Sequence, residues 1–549
     1  MRVSLAEHLA DPTIWRGAAT RSDLQSNRQD AHQGPRPRGH SRGHPTGQPG
    51  DRRADHPGGS FLKRTLAGAL GALLAGAVTL ASAAPAAQAQ SIIRDEEIEN
   101  LLRDYTNPIL QAAGLQPEDV RIFVLNDPTL NAFVTGGQNI FLHTGLILAA
   151  DTPNQLKGVI AHETGHIAGG HLVRSQQAME VAMRPALLSM FLGVLAIAGG
   201  APDAGAALIQ NSQYWAALTF FRHTRVQESS ADQSAVTYLE ETGQSAQGLL
   251  DFFDKFRYQE VMSDARREPY FRSHPLSADR MQALRGRVQA QPHQTAADDA
   301  RSLERFKLAQ AKLYGFLEAP QRTFIKYPPS DTSQAARYAR AIAAYRIPDT
   351  KRAIAEAQAL IAAHPENPYY HELLGQILFE SGQAAASIYS NRQALALSPQ
   401  SALFEINLAR SLLATETKPN TDEAIKLLKA SLARDPDNGF AWREIAVGYE
   451  RRGETNLAEL ATAELAFSIG DYPRALQFAK RAQNNGLKQG SPEWRRSADI
   501  ILISEPQVQE FMRRGGRRSL SEATSPAPAH QGQHSERAPA RGGLPVNGS

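Results

Sequence analysis

The stretch GVIAHETGHIAGGH, residues 158–171, places His162 and His166 four positions apart with Glu163 between them. Positions four apart share one face of an α-helix, so both imidazoles can reach a single metal ion. Glu163 is displaced around that helix, yet it stays close enough to act as general base on a metal-bound water. This is the H-E-x-x-H arrangement for metal-assisted peptide hydrolysis. Five residues alone are weak support, and the assignment depends on a third ligand. In one form of such a centre that ligand is a histidine six residues past the second, after a glycine. Gly169 is in place, but Leu172 stands at the ligand position and the extra histidine, His171, comes one residue early. That form is excluded. The other form takes a glutamate from a later helix, and VQESSAD (226–232) supplies Glu228, with Asp232 four residues on and on the same face. Glu228 is the candidate third ligand, and Asp232 the candidate acceptor for the outer nitrogen of a ligand imidazole. In isolation, E-x-x-x-D is an ordinary exposed acidic helix face. Downstream of an H-E-x-x-H helix it reads as the rest of a metal site.

Around these residues the hydrophobic pattern predicts a helix from Asp95 to Ala112, a short buried strand from Val120 to Leu125 and a second strand from Asn139 to His143. HETGH followed by ESSAD resembles the gluzincin metallopeptidases, the family of HtpX and the CAAX prenyl proteases. Asn131-Ala132-Phe133, Gly136-Gly137, Ile140-Phe141-Leu142 and Thr144-Gly145-Leu146 extend the similarity, which covers about residues 95 to 285. With the export signal and repeats described below, the match is to the periplasmic, TPR-bearing BepA-type branch. The resemblance implies one zinc ion (Zn2+) held by His162, His166 and Glu228, with Glu163 as catalytic base. It implies that the strand over 139–143 is an edge strand bordering the cleft, where it would pair with an extended substrate backbone. Relatives also carry a His-Pro followed by an arginine, matched here by SHPLSADRM (273–281). His274 then has two candidate catalytic roles: hydrogen bonding to a tetrahedral oxyanion, or filling the open metal position when substrate is absent. Pro275 biases the backbone there away from helix, which suits a loop that can swing and gate the metal. Arg280 either stabilises the same region or binds a carboxylate structurally.

The remaining sequence describes an exported, two-domain chain. Its 549 residues are 42% hydrophobic, enough for several cores, and the formal net charge of +3 gives no reason to expect a nucleic-acid partner. The absence of cysteine excludes disulfides and cysteine-ligated metal. Lys63-Arg64, an apolar run from Leu66 to Leu80 and Ala87-Gln88-Ala89 form the three parts of a cleavable signal peptide (61–89), cut after Ala89 and directing export to the periplasm. Arg52-Arg53 stands too far from the apolar run for a twin-arginine signal. Residues 1–60, rich in Arg, Gly, His and Pro, are expected to be disordered and mis-assigned, with translation starting near Leu62 at a non-AUG codon. The apolar segment 185–201, at 17 residues, is at the lower limit for a span. It is expected to pack on the catalytic core or lean on a membrane surface as a peripheral contact.

Pro365, Pro399 and Pro436 follow apolar-periodic helices at intervals of 34 and 37 residues, and 34 is the TPR period. The longer interval fits a three-residue insertion near Lys418-Pro419-Asn420. The expected organisation is a metallopeptidase domain at 90–290, connecting helices at 291–333, a TPR domain at 334–503 and a disordered tail at 513–549. The fold class is α+β: a predominantly helical zincin-like metallopeptidase domain, then an all-α TPR solenoid. The resemblance implies a periplasmic zinc endopeptidase acting on misfolded or misassembled outer-membrane proteins, with the TPR surface docking clients or the outer-membrane assembly machinery. Two alternatives remain open: a periplasmic chaperone or adaptor with a latent peptidase, and an integral membrane protease retaining both 66–80 and 185–201 in the bilayer.

Overall fold

The computed structural model describes residues 91–135, 138–171, 173–174, 187–192, 194–196, 206, 224–263 and 266–523. Residues 1–90, where the sequence predicts an extension and a signal peptide, and residues 524–549 lie outside these. The chain divides into two compact units between Leu317 and Glu318.

The first unit is built on a four-stranded sheet ordered β1-β2-β4-β3, from β1 (Ile92–Ile93), β2 (Arg121–Leu125), β3 (Ala132–Thr135) and β4 (Asn139–His143). The β2–β4 pair is parallel, while β1–β2 and β3–β4 are antiparallel. The strand expected at 139–143 is present, but it is not an edge. Only three residues separate β3 from β4, so the two close as a hairpin, and β4 is covered on both sides. Among the described residues the outer strands are β1 and β3, and β3 is the one beside β4. It also packs against the helix that carries His162 and His166.

That helix and its neighbours follow from local chemistry. Helix α1 (Glu96–Ala112) starts where the Asp95 carboxylate accepts from the Ile98 N–H at 3.1 Å, and it buries Ile98, Leu101, Leu102, Tyr105 and Ile109. After α2 (Thr144–Ala149), helix α3 (Pro153–Ala168) begins with Thr152 as cap and Pro153 in its first turn. It is buried over nearly its whole length. Two glycines permit this. A Cβ on Gly165 would lie 2.9 Å from the Ala231 carbonyl oxygen in helix α4 (224–241). One on Gly158 would lie 2.7 Å from Leu249 Cβ in α5 (Gln247–Lys255). Helices α6 (Pro269–Ser273) and α7 (Ala278–Gln289) follow, the latter capped by Ser277.

Helix α8 (Ala300–Leu317) belongs to this unit, so the boundary falls inside the segment read from sequence as a connection. Its buried Lys312 sits 2.8 Å from Asp95 and 3.3 Å from Glu97. Among the described residues no helix is long and apolar enough to cross a membrane. In the apolar segment, the helical residues Leu187, Leu188, Met190, Phe191, Leu192, Val194 and Leu195 are exposed. That removes the expectation that this stretch packs on the catalytic core, because an apolar helix that did so would bury one of its faces.

The second unit is a row of helical hairpins. Helix α9 (Pro320–Lys326) leads into the pairs α10 (Gln334–Arg346) with α11 (Thr350–Ala363), α12 (Pro368–Glu380) with α13 (Ala384–Leu397), and α14 (Ala402–Leu413) with α15 (Lys418–Arg434). The pairs α16 (Gly439–Arg451) with α17 (Thr455–Ser468) and α18 (Tyr472–Asn484) with α19 (Pro492–Ala523) complete it. Each of Pro365, Pro399 and Pro436 falls just past a helix end. Gly382 and Gly453 within hairpins, and Gly470 between two of them, take left-handed φ of 80°, 74° and 74°, which lets the chain reverse without strain. The three-residue insertion is absorbed as helix: α15 has 17 residues where α13 has 14. Helix α19 continues to Ala523, past position 513 where composition predicts the tail to begin.

The close contact at Gly158 gives a direct test. Gly158→Ala forces its new methyl against the Leu249 backbone and is expected to cost about 1–3 kcal/mol. In contrast, Gly286→Ala, in the interior of α7 with open space around it, is expected to gain about 0.5–1 kcal/mol. Urea denaturation of both variants reads the opposite signs.

Candidate metal centre

Helix α3 presents His162 and His166 on one face, with their Nε2 atoms 3.1 Å apart. Helix α4 crosses at Gly165 and brings Glu228 to 3.4 Å from His162 Nε2 and 3.3 Å from His166 Nε2. His274, at the C-terminal end of α6, closes the group: its Nδ1 lies 3.0 Å from both Glu228 oxygens and 3.3 Å from His162 Nε2. All four side chains are buried, and one donor atom from each falls within 4.8 Å of the others.

Behind these donors stand the remaining residues singled out in the sequence. Asp232 Oδ1 lies 3.0 Å from His162 Nδ1, so its carboxylate faces the outer side of that imidazole. Arg280 donates to Asp232 through Nε (2.5 Å) and Nη2 (2.8 Å), lies 3.0 Å from Glu228 through Nη1, and donates to the Pro275 carbonyl at 2.9 Å. Of the two readings of Arg280, the geometry is that of carboxylate binding. Glu163 is fully buried, and neither of its carboxylate oxygens has a hydrogen-bond partner; His274 Nε2 lies 3.6 Å from it.

Electrostatics follow from burial and pairing. Burial disfavours the charged form of Glu228, yet His274 and Arg280 outweigh it and hold the carboxyl well below its usual range. Asp232 is likewise lowered against burial, by Arg280. Burial works against protonation of His162, but Asp232 and Glu228 overcome it and push it up to about 9. His166 is driven down to about 3, chiefly by burial and further by His162. Glu163 is raised, again first by burial. The imidazole and carboxylate donors are of types that zinc accepts, and the orphaned Glu163 carboxylate lies beside them. The residues fit a metal ion.

Two buried polar groups at the site escaped sequence reasoning. The Tyr270 hydroxyl is buried without a hydrogen-bond partner, and its ring lies 4.7 Å from that of His274. No periodic or motif signal marks it. His171, set aside because it is one residue early for a ligand, places Nδ1 3.0 Å from His166 Nδ1.

A mixed sheet with a buried H-E-x-x-H helix, a glutamate from a second helix and an adjacent free carboxylate defines a metallopeptidase. Comparison with known proteins agrees: residues 94–288 match the model of Peptidase family M48 and form a domain of that family. The beta-barrel assembly-enhancing protease of Escherichia coli (strain K12) is 27% identical over 423 residues, 75% of this chain and 84% of that protein. A putative beta-barrel assembly-enhancing protease of Vibrio cholerae serotype O1 is 25% identical over 407 residues, 72% of this chain and 81% of that one. Metalloprotease LoiP of Escherichia coli (strain K12) is 31% identical over 180 residues, 32% of this chain and 64% of its own length. The chain is a metalloprotease in which an M48 domain precedes an all-α TPR solenoid.

Arg280 is the charge on which the carboxylate side of the site rests. Arg280→Met leaves Asp232 and Glu228 buried with less compensation, and loss of one partner from such a network costs about 3–5 kcal/mol. Chemical denaturation of the metal-free protein is expected to show that loss.

Proposed function

We propose that this chain is a zinc-dependent endopeptidase of the periplasm that degrades misfolded or misassembled outer-membrane proteins. One observation carries the enzymatic part: four buried donors converge beside a carboxylate with no partner of its own. His162, His166 and Glu228 are the residues to hold the ion, and two imidazoles with one carboxylate suit zinc. Bound there, the ion supplies Lewis-acid polarisation of a scissile carbonyl and a lowered pKa for water. Glu163 takes the water's proton and later delivers it to the leaving amine, a task favoured by the raised proton affinity that burial gives it. Asp232 fixes the orientation of His162, and Arg280 fixes Asp232 and Glu228. The outer edge of β3 is the strand on which an extended substrate backbone would add.

The substrate class and compartment rest on other grounds. Relatives matching along most of their length are named for β-barrel assembly, and residues 61–89 have the composition of an export signal. Stacked helical hairpins of the second unit offer a concave surface, whose usual role is protein binding, for clients or the assembly machinery. The exposed apolar residues between Leu187 and Leu195 support a peripheral membrane contact. The reading of a latent peptidase is favoured by His274, which lies among the donors and 3.6 Å from Glu163, where an attacking water must stand. We take this as restraint: the loop carrying His274 must move before the site works.

Four variants of residues 90–549, purified with zinc, test this against an unfolded protein. Glu163→Gln is expected to keep metal and fold while losing cleavage; undiminished cleavage sinks the catalytic assignment. Glu228→Ala is expected to lose metal on dialysis against a chelator, while Asp232→Ala lowers affinity roughly 10- to 100-fold. His274→Ala is expected to raise basal cleavage. A fall with metal retained would instead make His274 a donor to the transition state.

A further inference from the structure

Helix α3 stops in an unusual way, and the stop returns a side chain to the metal centre. Gly169 is its C-cap, with its N–H on the Gly165 carbonyl at 2.9 Å, and Gly170 takes a left-handed φ of +60°. The reversal folds the imidazole of His171 back beneath α3. A Cβ on Gly169 would lie only 2.4 Å from His171 Nε2, so the glycine leaves room for that ring. His171 is buried, and its ring meets that of His166 edge-on with centroids 4.9 Å apart.

We propose that His171 is a positioning residue that holds the metal ligand His166 in the tautomer and orientation the site requires. The inference rests on the metallopeptidase reading above. His166 turns Nε2 toward Glu228 and His162, so its lone pair for a metal is on that nitrogen. The ring proton must then sit on Nδ1. The group 3.0 Å from it is His171 Nδ1, which accepts, leaving the His171 proton on its own Nε2. The other ligand imidazole, His162, has the Asp232 carboxylate 3.0 Å from its outer nitrogen. The two ligand histidines therefore face different groups, one an anion and the other a neutral ring. A ligand imidazole held through its outer nitrogen keeps one orientation and gains basicity. His171 also touches the third ligand's helix, because its carbonyl accepts from Gln227 Nε2 at 3.2 Å, next to Glu228 in the chain.

The test compares four variants of the mature-length protein, reading metal affinity by chelator competition and the visible spectrum of the cobalt-substituted form. His171→Phe keeps a ring without an acceptor, His171→Asn places a polar atom near the lost Nδ1, and His171→Gln places it near Nε2. Gly169→Ala keeps the histidine but displaces it. Expected are a roughly 10- to 100-fold loss of metal affinity and an altered cobalt spectrum in the Phe, Gln and Gly169→Ala proteins, with most of both restored in Asn. Wild-type affinity and spectrum in His171→Phe would overturn the proposal. So would equal losses in Asn and Gln, since the ring's packing and not its nitrogen would then matter. Should the Phe variant fail to fold, the Asn–Gln contrast decides alone. Loss of cleavage in Glu163→Gln is independent of these readouts, so failure here leaves the catalytic assignment standing.

Discussion

Glu228 and Asp232 are buried carboxylates on one helix face, and the paired contact of Arg280 with both is the interaction on which the site depends. Without a compensating cation, two carboxylates out of water would be protonated or would force the helix outward. With Arg280 donating to Asp232 at 2.5 and 2.8 Å and lying 3.0 Å from Glu228, both are held as anions. Asp232 can then face His162 as a full acceptor, and Glu228 can face a metal. The guanidinium lies over the Phe253 ring, 5.0 Å from its centroid, which fixes its plane by contact with the apolar core. Sequence elements far apart, α4 and α7, are thereby locked before any metal binds.

Much of the centre was legible because helices impose a four-residue period. His162 with His166, and Glu228 with Asp232, had to share faces, and the structure puts each pair where that rule requires. The role of Arg280 was not legible, since only the tertiary fold shows which carboxylates it meets. His171 was visible as a residue but read only against a ligand spacing, because a motif scores positions that touch metal and not those one layer out. Tyr270 gave no signal: its hydroxyl matters by where α6 packs. The strand at 139–143 was found, but its place was misjudged. Pairing order is a long-range property, and a strand becomes interior only when a neighbour such as β3 folds back on it.

In the second unit the reverse holds. Repeats contact mainly their neighbours, so proline spacing and turn glycines determine nearly everything about each hairpin. The insertion at Lys418-Pro419-Asn420 lengthens one helix and leaves the register of the next hairpin intact, because a proline in the first turn is well placed to start a helix. Where the metallopeptidase unit ends could not be read in this way. Lys312 is a charged residue in a helix of ordinary composition, and only its burial between Asp95 and Glu97 reveals that α8 completes the first core.

The chain between His171 and Gln227 leaves the centre at one ligand and returns to it at another. Residue 166 precedes this excursion and residue 228 follows it, so the geometry of the metal site would be hostage to some fifty intervening residues if their ends were loose. They are not. The Gln227 side chain donates to the His171 carbonyl, and Gly165 lets α3 and α4 touch backbone to backbone just beyond. Closing a long loop costs little more than closing a short one, since the entropy grows only with the logarithm of length. Phe191 and Leu192 in that segment are exposed, while the donors a short distance away in sequence, His166 and Glu228, are buried, so the tie sits where the chain passes from one environment to the other.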